Sequence, residues 1–206
     1  GKKMYVYGAL GGMVGVSAGP DTAGTLLWEI PWNAKVVAPS AIPAGDDLIF
    51  ATTGYGRGSR MLKLSESGGK ISVEVVYDKT PDKILACEQQ TPIFYNGLLY
   101  GIMPKDAGSL MGQFVCYKPD GSLVWSSGQN NRFGLGPFIV ADRKFYLLGD
   151  EGELTMADAT KQEFVRLGQT DVLEGHDAWG PFAMAGSRLL LRDMNTLACV
   201  ELGAAS

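Results

Sequence analysis

The sequence predicts an all-β protein built as a β-propeller, or a propeller fragment, from four-stranded antiparallel blades. Short apolar runs recur at a nearly constant interval, ending at Tyr5, Phe50, Tyr100, Tyr146 and Leu190 in steps of 45, 50, 46 and 44 residues. Repeats of about 40–50 residues made of short strands are typical of propeller blades. The chain also has 28 glycines in 206 residues, which suits many tight turns. No apolar stripe has helical spacing, so we expect almost no α-helix.

The first two repeats cover approximately residues 1–37 and 38–86. Residues 3–7 form a strand with no inner strand before them, so the first blade is partial. In the second repeat, alternation and turn residues predict strands at 39–42, 48–51, 60–64 and 71–76. The turns between them lie at 44–47, in a glycine-rich loop, and at Gly68-Gly69.

The third repeat, residues 87–132, has the strongest local signals. Asn96-Gly97 separates predicted strands at 91–94 and 98–101, and Asp120-Gly121 separates strands at 113–117 and 122–125. Asn-Gly and Asp-Gly between apolar runs are typical of tight hairpins. The repeat therefore predicts one complete four-stranded blade.

The last two repeats cover approximately residues 133–176 and 177–206. Predicted strands are at 136–140, 144–148, 154–157 and 163–165, then at 180–184, 188–191 and 197–200. The fifth repeat lacks an outer strand, so we predict a single arc, residues 1–206, of about three full and two partial blades. It could be a piece of a longer propeller, a five-bladed ring, or an arc that oligomerises through its open edges.

Charge and composition exclude some functions. The net charge of −4 and pI near 5.0 argue against a broad nucleic-acid or anionic-membrane surface. No apolar run reaches the roughly 18 residues that a membrane span needs, and no signal peptide begins this sequence. Cys87, Cys116 and Cys199 have no metal-binding spacing. We expect buried thiols, with Cys116 and Cys199 inside sheets.

Two turns share a detailed pattern, with Gly24 four positions before Trp28 and Gly121 four positions before Trp125. Looser copies run from Gly69 to Val73 and from Asp158 to Phe164. The pattern resembles the tryptophan-docking repeat of pyrroloquinoline-quinone-like propellers, the quinoprotein alcohol dehydrogenase-like superfamily. Pro92, Pro137 and Pro181 at inner-strand entries are also similar to that superfamily. The resemblance implies that Trp28 and Trp125 pack one blade on the next.

The resemblance implies a fold more than an activity. Enzymatic members hold pyrroloquinoline quinone (PQQ) and Ca²⁺ with an adjacent cysteine pair and a Glu/Asn/Asp set, and neither feature can be assigned in this sequence. The chain is most similar to the stand-alone bacterial repeat proteins, many of them exported. We therefore expect a periplasmic or otherwise exported, non-catalytic binding or scaffolding propeller, with no cofactor or metal identified. The alternative is a fragment of a PQQ-dependent dehydrogenase with Ca²⁺.

Propeller loops predict where a ligand would sit. Loops from one blade's outer strand to the next blade's inner strand gather at one mouth of the channel, together with loops between second and third strands. Long loops on a rigid scaffold are typical binding sites. The predicted ligand-binding residues are Glu88, Gln89, Asn131, Arg132, His176, Asp177, Trp179, Arg57, Arg60 and Lys105.

The chemistry of this mouth has three interpretations. His176, with Asp177 beside it and Glu88 nearby, could be a general base, although no nucleophile motif accompanies it. The arginines and Lys105 could form a cationic mouth for an anionic ligand or a peptide carboxylate. Alternatively, Arg132 and Asp177 could pair across adjacent blades and fasten the arc. For a binding propeller, the expected partner is an unknown protein or a small polar ligand.

Overall fold

The computed structural model describes residues 2–203, which form five antiparallel sheets and one short 3₁₀ turn at Gly108–Leu110. Within these residues there is no α-helix, so no helix there is long and apolar enough to cross a membrane. The strands are β1 Met4–Ala9, β2 Gly11–Ser17, β3 Leu26–Trp32, β4 Ile42–Pro43, β5 Leu48–Thr53, β6 Gly58–Ser67, β7 Lys70–Lys79, β8 Ile93–Tyr95, β9 Leu98–Ile102, β10 Phe114–Tyr117, β11 Leu123–Ser126, β12 Phe138–Ala141, β13 Lys144–Leu148, β14 Glu153–Asp158, β15 Arg166–Asp171, β16 Ala183–Ala185, β17 Arg188–Arg192 and β18 Leu197–Glu201.

Each sheet is a meander in which strands adjacent in sequence pair with one another. Sheet 1 (β1–β3) and sheet 5 (β16–β18) have three strands, while sheet 2 (β4–β7), sheet 3 (β8–β11) and sheet 4 (β12–β15) have four. Such sheets form where two apolar runs are joined by a tight turn, as at Asn96 (φ 49°) and Gly97 (φ 78°) between β8 and β9. The chain is therefore all-β, as the sequence predicts.

Consecutive sheets pack face to face through four hydrophobic clusters. Phe50 and Met61 of sheet 2, for example, pack with Leu99 and Val115 of sheet 3, and each of the four is fully buried. Burial of one such side chain stabilises the fold by about 1.5–3 kcal/mol. The other clusters join sheets 1 and 2, sheets 3 and 4, and sheets 4 and 5. This stacking of successive meanders is the arrangement of propeller blades.

A β-bulge recurs at the same place in sheets 1 to 4, between the last two strands of each sheet. After one cross-strand pair, the outer strand skips one residue before pairing resumes, and the register shifts. A bulge of this kind increases the local twist and fixes the direction of the neighbouring side chain. The equivalent pairs before the skip are Gly15↔Trp28, Met61↔Tyr77, Cys116↔Trp125 and Met156↔Gly168.

In sheets 2 and 4, the residue next to the bulge is not the one that the looser copies of the turn pattern, ending at Val73 and Phe164, had indicated. Tyr77, rather than Val73, takes the tryptophan position of sheet 2, because the β6–β7 hairpin is longer and moves the bulge further from Gly69. In sheet 4 the position belongs to Gly168 rather than Phe164. Spacing counted from a turn misses both because the hairpins differ in length.

The outer strand of sheet 4 is a correction to the sequence prediction, which placed it at residues 163–165. The strand is β15, Arg166–Asp171. Phe164 comes before it and packs against Trp125, with ring centroids 6.2 Å apart. Its aromatic side chain therefore contributes to the contact between sheets 3 and 4 rather than to strand pairing.

The two tryptophans of the turn pattern lie between sheets. Trp28 is 6% exposed and packs in a cluster with Ile49 and Leu62 of sheet 2. Trp125 is 8% exposed and packs with Phe145 of sheet 4. Such rings bury large apolar areas on both partners, so each contributes to the packing of one sheet on the next.

The glycines that open these turns have left-handed backbone conformations. Gly24 has φ 82° and Gly121 has φ 89°, a region that disfavours residues with a Cβ. At Gly121 a Cβ would also lie 2.9 Å from Ile84 Cδ1, whereas at Gly24 it would meet no atom within 4 Å. Gly121 is thus required both by its turn and by the contact between sheets 2 and 3.

The cysteines follow the prediction only in part. Cys87 and Cys116 are buried, and burial raises the pKa of their thiols to about 12 and about 11, respectively. Cys199 is exposed, contrary to the expectation that it would be buried within a sheet. It lies on β18, the edge strand of a three-stranded sheet, where neighbouring residues alternate between exposed and half-buried.

Candidate functional site

Loops from different sheets meet on one face of the arc, called here the mouth face. It consists of the loops that enter sheets 2 to 5, at residues 33–41, 80–92, 127–137 and 172–182, and of the loops between the second and third strands of sheets 2 to 5. Gln90, before sheet 3, donates through Nε2 to the carbonyl oxygen of Trp179, before sheet 5, at 2.9 Å. The same amide lies 3.4 Å from the carbonyl oxygen of Leu135, before sheet 4. Three entry loops therefore converge on one side chain.

Asp150 is the acceptor at the centre of this convergence. It follows β13, and its Oδ1 accepts the backbone N–H of Leu135 at 2.7 Å and the indole N–H of Trp179 at 2.9 Å. Its carbonyl oxygen accepts the backbone N–H of Ala178 at 3.0 Å. Hydrogen bonds to a carboxylate are roughly twice as strong as neutral ones. Asp150 therefore fixes the entry loops of sheets 4 and 5 together.

Asp193 repeats this arrangement at sheet 5. It follows β17, is 2% exposed, and accepts the backbone N–H of Gly175 at 3.0 Å. Hydrogen bonds from the backbone N–H groups of Asn195 and Thr196 lower its pKa. Gly134 and Gly175 pass so close to the carboxylates of Asp150 and Asp193 that neither position has room for a side chain.

Two of the predicted cations line a common cavity on the mouth face. Lys105 lies in the β9–β10 loop and Arg132 in the entry loop of sheet 4, and together with apolar walls from Met103 and Leu135 they enclose about 200 Å³. Arg132 is held by hydrogen bonds to the carbonyl oxygens of Met111 and Gln129. Within residues 2–203, no carboxylate oxygen lies within 4.0 Å of the Lys105 amine or the Arg132 guanidinium.

Arg57 and Arg60, by contrast, are engaged with Asp78. Arg57 forms a two-pronged ion pair with Asp78 at 2.6 Å, and Arg60 Nη2 binds the same carboxylate at 2.6 Å. Burial opposes ionisation of Asp78, but hydrogen bonds from both arginines outweigh it and lower the pKa. Both arginines therefore share one carboxylate, which offsets one of their two positive charges, and their place in a ligand-binding mouth stays a prediction.

The Arg57–Arg60–Asp78 cluster joins sheets 1 and 2. Arg60 is 7% exposed and donates to the carbonyl oxygen of Pro31 at 2.7 Å. Both guanidinium carbons lie 5.5 Å from the ring centroid of Trp32, a cation–π distance. Pro31 and Trp32 belong to sheet 1, so the cluster has a structural role between the two sheets.

The remaining residues of the mouth are spread over neighbouring loops. Glu88 packs against Gly54 of the β5–β6 loop, where a Cβ would lie 2.7 Å from Glu88 Cγ, and Gln89 is half-buried next to it. Asn131 is half-buried and closes its own loop by donating through Nδ2 to the carbonyl oxygen of Ser127 at 2.8 Å. Trp179 is half-buried and held by Asp150.

His176 and Asp177 form a local pair. His176 Nδ1 lies 3.0 Å from Asp177 Oδ2, and the histidine side chain is 73% exposed. Asp177 has φ 56°, so the pair sits on a tight left-handed turn. The alternative ion pair between Arg132 and Asp177 is not formed, because Arg132 binds backbone carbonyls and Asp177 binds His176.

The sequence placed Gln90 and Asp106 in loops of the mouth but did not identify Asp150 as a member. Asp106 accepts the backbone N–H of Gly56 and so links the second-to-third-strand loops of sheets 2 and 3. The position of Asp150 in its repeat could have indicated its role. Asp150 and Asp193 both lie just after the second strand of their sheets, where a carboxylate can reach the preceding entry loop.

Neither a metal-binding cluster nor an activated buried thiol is found in the described part of the chain. Among residues 2–203, no three His, Cys, Asp or Glu side chains are grouped so that they could hold a metal ion. The buried thiols of Cys87 and Cys116 have raised pKa values, which disfavour the nucleophilic thiolate. What the mouth offers is a rigid hydrogen-bonded platform beside a small, mostly apolar cavity whose lining includes Lys105 and Arg132.

Comparisons with known proteins match this geometry at the level of fold. No family model matches the chain, and no curated protein does. Among solved structures, BamB from Moraxella catarrhalis has a TM-score of 0.66 at 14% identity, over 98% of this chain. The computationally designed Ika4 protein has a TM-score of 0.53 at 8% identity, over 77% of this chain and 88% of its own.

The likeness to BamB supports a β-propeller fold. The chain spans 58% of the BamB chain that it matches. At 14% identity this likeness concerns the architecture alone, which agrees with the stacked meanders and the repeated bulge described above.

Proposed function

We propose that this chain is a non-catalytic binding and scaffolding propeller, which holds the carboxylate of a partner or a small ligand at its mouth face. The observation that carries the proposal is the 200 Å³ cavity, mostly apolar, whose lining includes both Lys105 and Arg132. An exported location and membership among quinoprotein-like propellers are part of the same proposal, and rest on the turn pattern around Trp28 and Trp125.

The size of the cavity defines the ligand group that it would hold. Small-molecule sites usually enclose about 300–1,000 Å³, so a cavity of 200 Å³ takes a group of roughly one apolar side chain. Two cations at its edge favour a carboxylate attached to that group. The C-terminal residue of a peptide, if apolar, has both features.

The surrounding loops support a binding role because they are fixed before any ligand arrives. Asp150 and Gln90 join the entry loops of sheets 3, 4 and 5, and Arg132 is held by two backbone carbonyls. A preorganised site loses less conformational entropy on binding than a flexible one. Glu88, Gln89, Asn131, His176, Asp177 and Trp179 would form the surrounding contact surface.

The test compares dye-labelled hexapeptides that end in leucine, with either a free or an amidated C-terminus, by fluorescence anisotropy. We expect the free carboxylate to bind more tightly, and binding to weaken as salt rises. Lys105→Ala should weaken binding by about tenfold, since a charge-assisted hydrogen bond contributes about 1.5–3 kcal/mol. The control is Lys118→Ala, which removes a lysine from a turn on the opposite face.

Two outcomes would overturn the proposal. Equal affinity for the free and amidated peptides, or equal losses in Lys105→Ala and Lys118→Ala, would remove the carboxylate site. Saturable binding of PQQ with Ca²⁺, accompanied by dye reduction with alcohols or sugars, would instead favour the quinone-dependent dehydrogenase fragment.

A further inference from the structure

The position next to the repeated bulge carries an aromatic ring in three sheets and none in the fourth. Trp28, Tyr77 and Trp125 occupy it in sheets 1, 2 and 3, and each ring packs in the cluster that joins its sheet to the next. Gly168 occupies it in sheet 4. The contact between sheets 4 and 5 therefore lacks the ring that fills the three equivalent contacts.

A cavity lies where that ring is missing. It is a half-open cleft of about 620 Å³ between sheets 4 and 5, and Gly168 is part of its lining. A Cβ built on Gly168 would meet one atom within 4 Å, Met156 Cε at 4.0 Å, so the space begins directly at the backbone. Gly168 is not among the glycines with positive φ, so its backbone would accept other residues.

The walls of this cavity are suited to an aromatic molecule. Tyr146, Leu154 and Met156 of sheet 4 face Met184 and Leu202 of the sheet 5 side. Sulfur atoms of methionine make favourable contacts with ring edges. The rim is polar, with Lys144, Gln169, Thr170 and Ser187. Apolar walls with a few polar groups at the edge are typical of small-molecule sites, and 620 Å³ is within their usual range.

We propose that this cavity, called here the Gly168 cavity, binds a small planar aromatic compound of one or two fused rings that bears a polar substituent. Between sheets 4 and 5, the ring would take the place equivalent to that of Trp125 between sheets 3 and 4, and its substituent would reach the polar rim. Apolar cavities preformed in proteins bind ring compounds of matching size. The hairpins that border the cavity, at Asp142 and Gly186, lie away from the mouth face, so the site is separate from the Lys105–Arg132 cavity.

Indole is the simplest probe, because it is the ring that sheets 1 and 3 carry at this position. Binding is followed by saturation-transfer NMR on indole and by isothermal titration, with cyclohexanol as a non-planar compound of similar polarity. We expect saturable binding of indole in the millimolar range and a rise in melting temperature with indole concentration. Cyclohexanol should bind more weakly.

Substitutions at Gly168 give matched tests of the site. Gly168→Trp should fill the cavity with a covalent ring, abolish saturable indole binding and raise the melting temperature of the unliganded protein. Gly168→Ala is the control, because its methyl group has room beside Met156, and it should still bind indole. If Gly168→Trp does not fold, Gly168→Phe serves for the same measurement.

The results that would overturn the proposal are specific. Indole binding that does not saturate in the unmodified protein would exclude the site. The site would also be excluded if the aromatic variant, Gly168→Trp or its substitute Gly168→Phe, bound indole as tightly as Gly168→Ala does, since the ligand would then lie elsewhere. A loss in the aromatic variants with retention in the alanine variant would support it. Failure of the carboxylate test at the mouth face would leave this result unchanged.

Discussion

The side-chain amide of Gln90 donates to the carbonyl oxygen of Trp179 at 2.9 Å, although the two residues lie in the loops that lead into sheets 3 and 5 and are 89 positions apart. The contact passes over the entry of sheet 4, whose Leu135 carbonyl lies 3.4 Å from the same amide. Loops of alternate sheets can meet only where the sheets fan around a common centre. The loops of the mouth face therefore gather near the axis about which the sheets are arranged.

Asp150→Ala should destabilise the mouth face more than Asp150→Asn. Alanine leaves the backbone N–H of Leu135 and the indole N–H of Trp179 without their acceptor, at a cost of about 2–4 kcal/mol in unfolding free energy for two part-buried donors. Asparagine retains one oxygen and should cost about half as much. Urea denaturation measures both variants. Equal losses would show that the acceptor at Oδ1 is unimportant.

Arg60→Ala should destabilise the contact between sheets 1 and 2 more than Arg57→Ala. Arg60 is largely buried and binds both Asp78 and the Pro31 carbonyl, so its loss should cost about 2–3 kcal/mol. The Arg57 side chain is 26% exposed and donates hydrogen bonds to Asp78 but, within residues 2–203, to no backbone carbonyl, so its loss should cost about 1 kcal/mol or less. Chemical denaturation compares them. The reverse order would contradict this assignment of roles.

Acid should weaken the Asp78 cluster in a defined pH range. Because the arginines lower the pKa of Asp78 in the folded protein, the carboxylate stabilises the fold above its unfolded pKa of about 4 and loses that contribution as the pH falls further. The difference in unfolding free energy between the unmodified protein and Asp78→Asn should be constant from about pH 5 to 7 and shrink below about pH 4. Denaturation series at several pH values measure it. A difference that grows in acid would refute the linkage.

Gly121→Ala should destabilise the protein more than Gly24→Ala. Both substitutions place a Cβ on a left-handed backbone, which costs about 1 kcal/mol. At Gly121 the new methyl group would also lie 2.9 Å from Ile84, whereas at Gly24 it would meet open space. The difference between their melting temperatures isolates the steric effect of Ile84. Identical melting temperatures would show that Ile84 moves aside freely.

Thiol labelling should distinguish Cys199 from the other cysteines. With Ellman's reagent at neutral pH, we expect one thiol per folded chain to react at once, because Cys199 is exposed while Cys87 and Cys116 are buried with raised pKa values. All three should react in denaturant. Cys199→Ser should remove the fast phase, and a fast phase that persists would mean that a buried thiol is accessible.

The fold class was predictable because its signals are local. Turn glycines and alternating apolar residues define each hairpin, so strands such as β9 and β13 lie within about one residue of their predicted positions. The outer strand of sheet 4 was misplaced, because a short apolar run around Phe164 has the character of a strand while its ring packs on Trp125. Local pattern alone does not distinguish these two uses of an aromatic residue.

The candidate site was less predictable because it depends on pairings between distant residues. Nothing near Arg60 in sequence indicates that it binds Asp78 on the adjacent strand. The equivalence of Gly168 with Trp125 was hidden because it is defined by the cross-strand register and not by the distance from a turn. That Lys105 and Arg132 lie near one another was predictable, because both are in loops whose place follows from the repeat.

The constant bulge has a consequence for tolerance to insertions. The β6–β7 hairpin is longer than its counterparts, yet Tyr77 still reaches the ring position, because the extra residues lie beyond the register shift. Additional length at the far tips of the sheets is thus absorbed without displacing the rings or the loops near the axis. Epitope tags or fluorescent-protein insertions at Gly68-Gly69 should therefore leave the mouth intact, which makes this tip a practical attachment point.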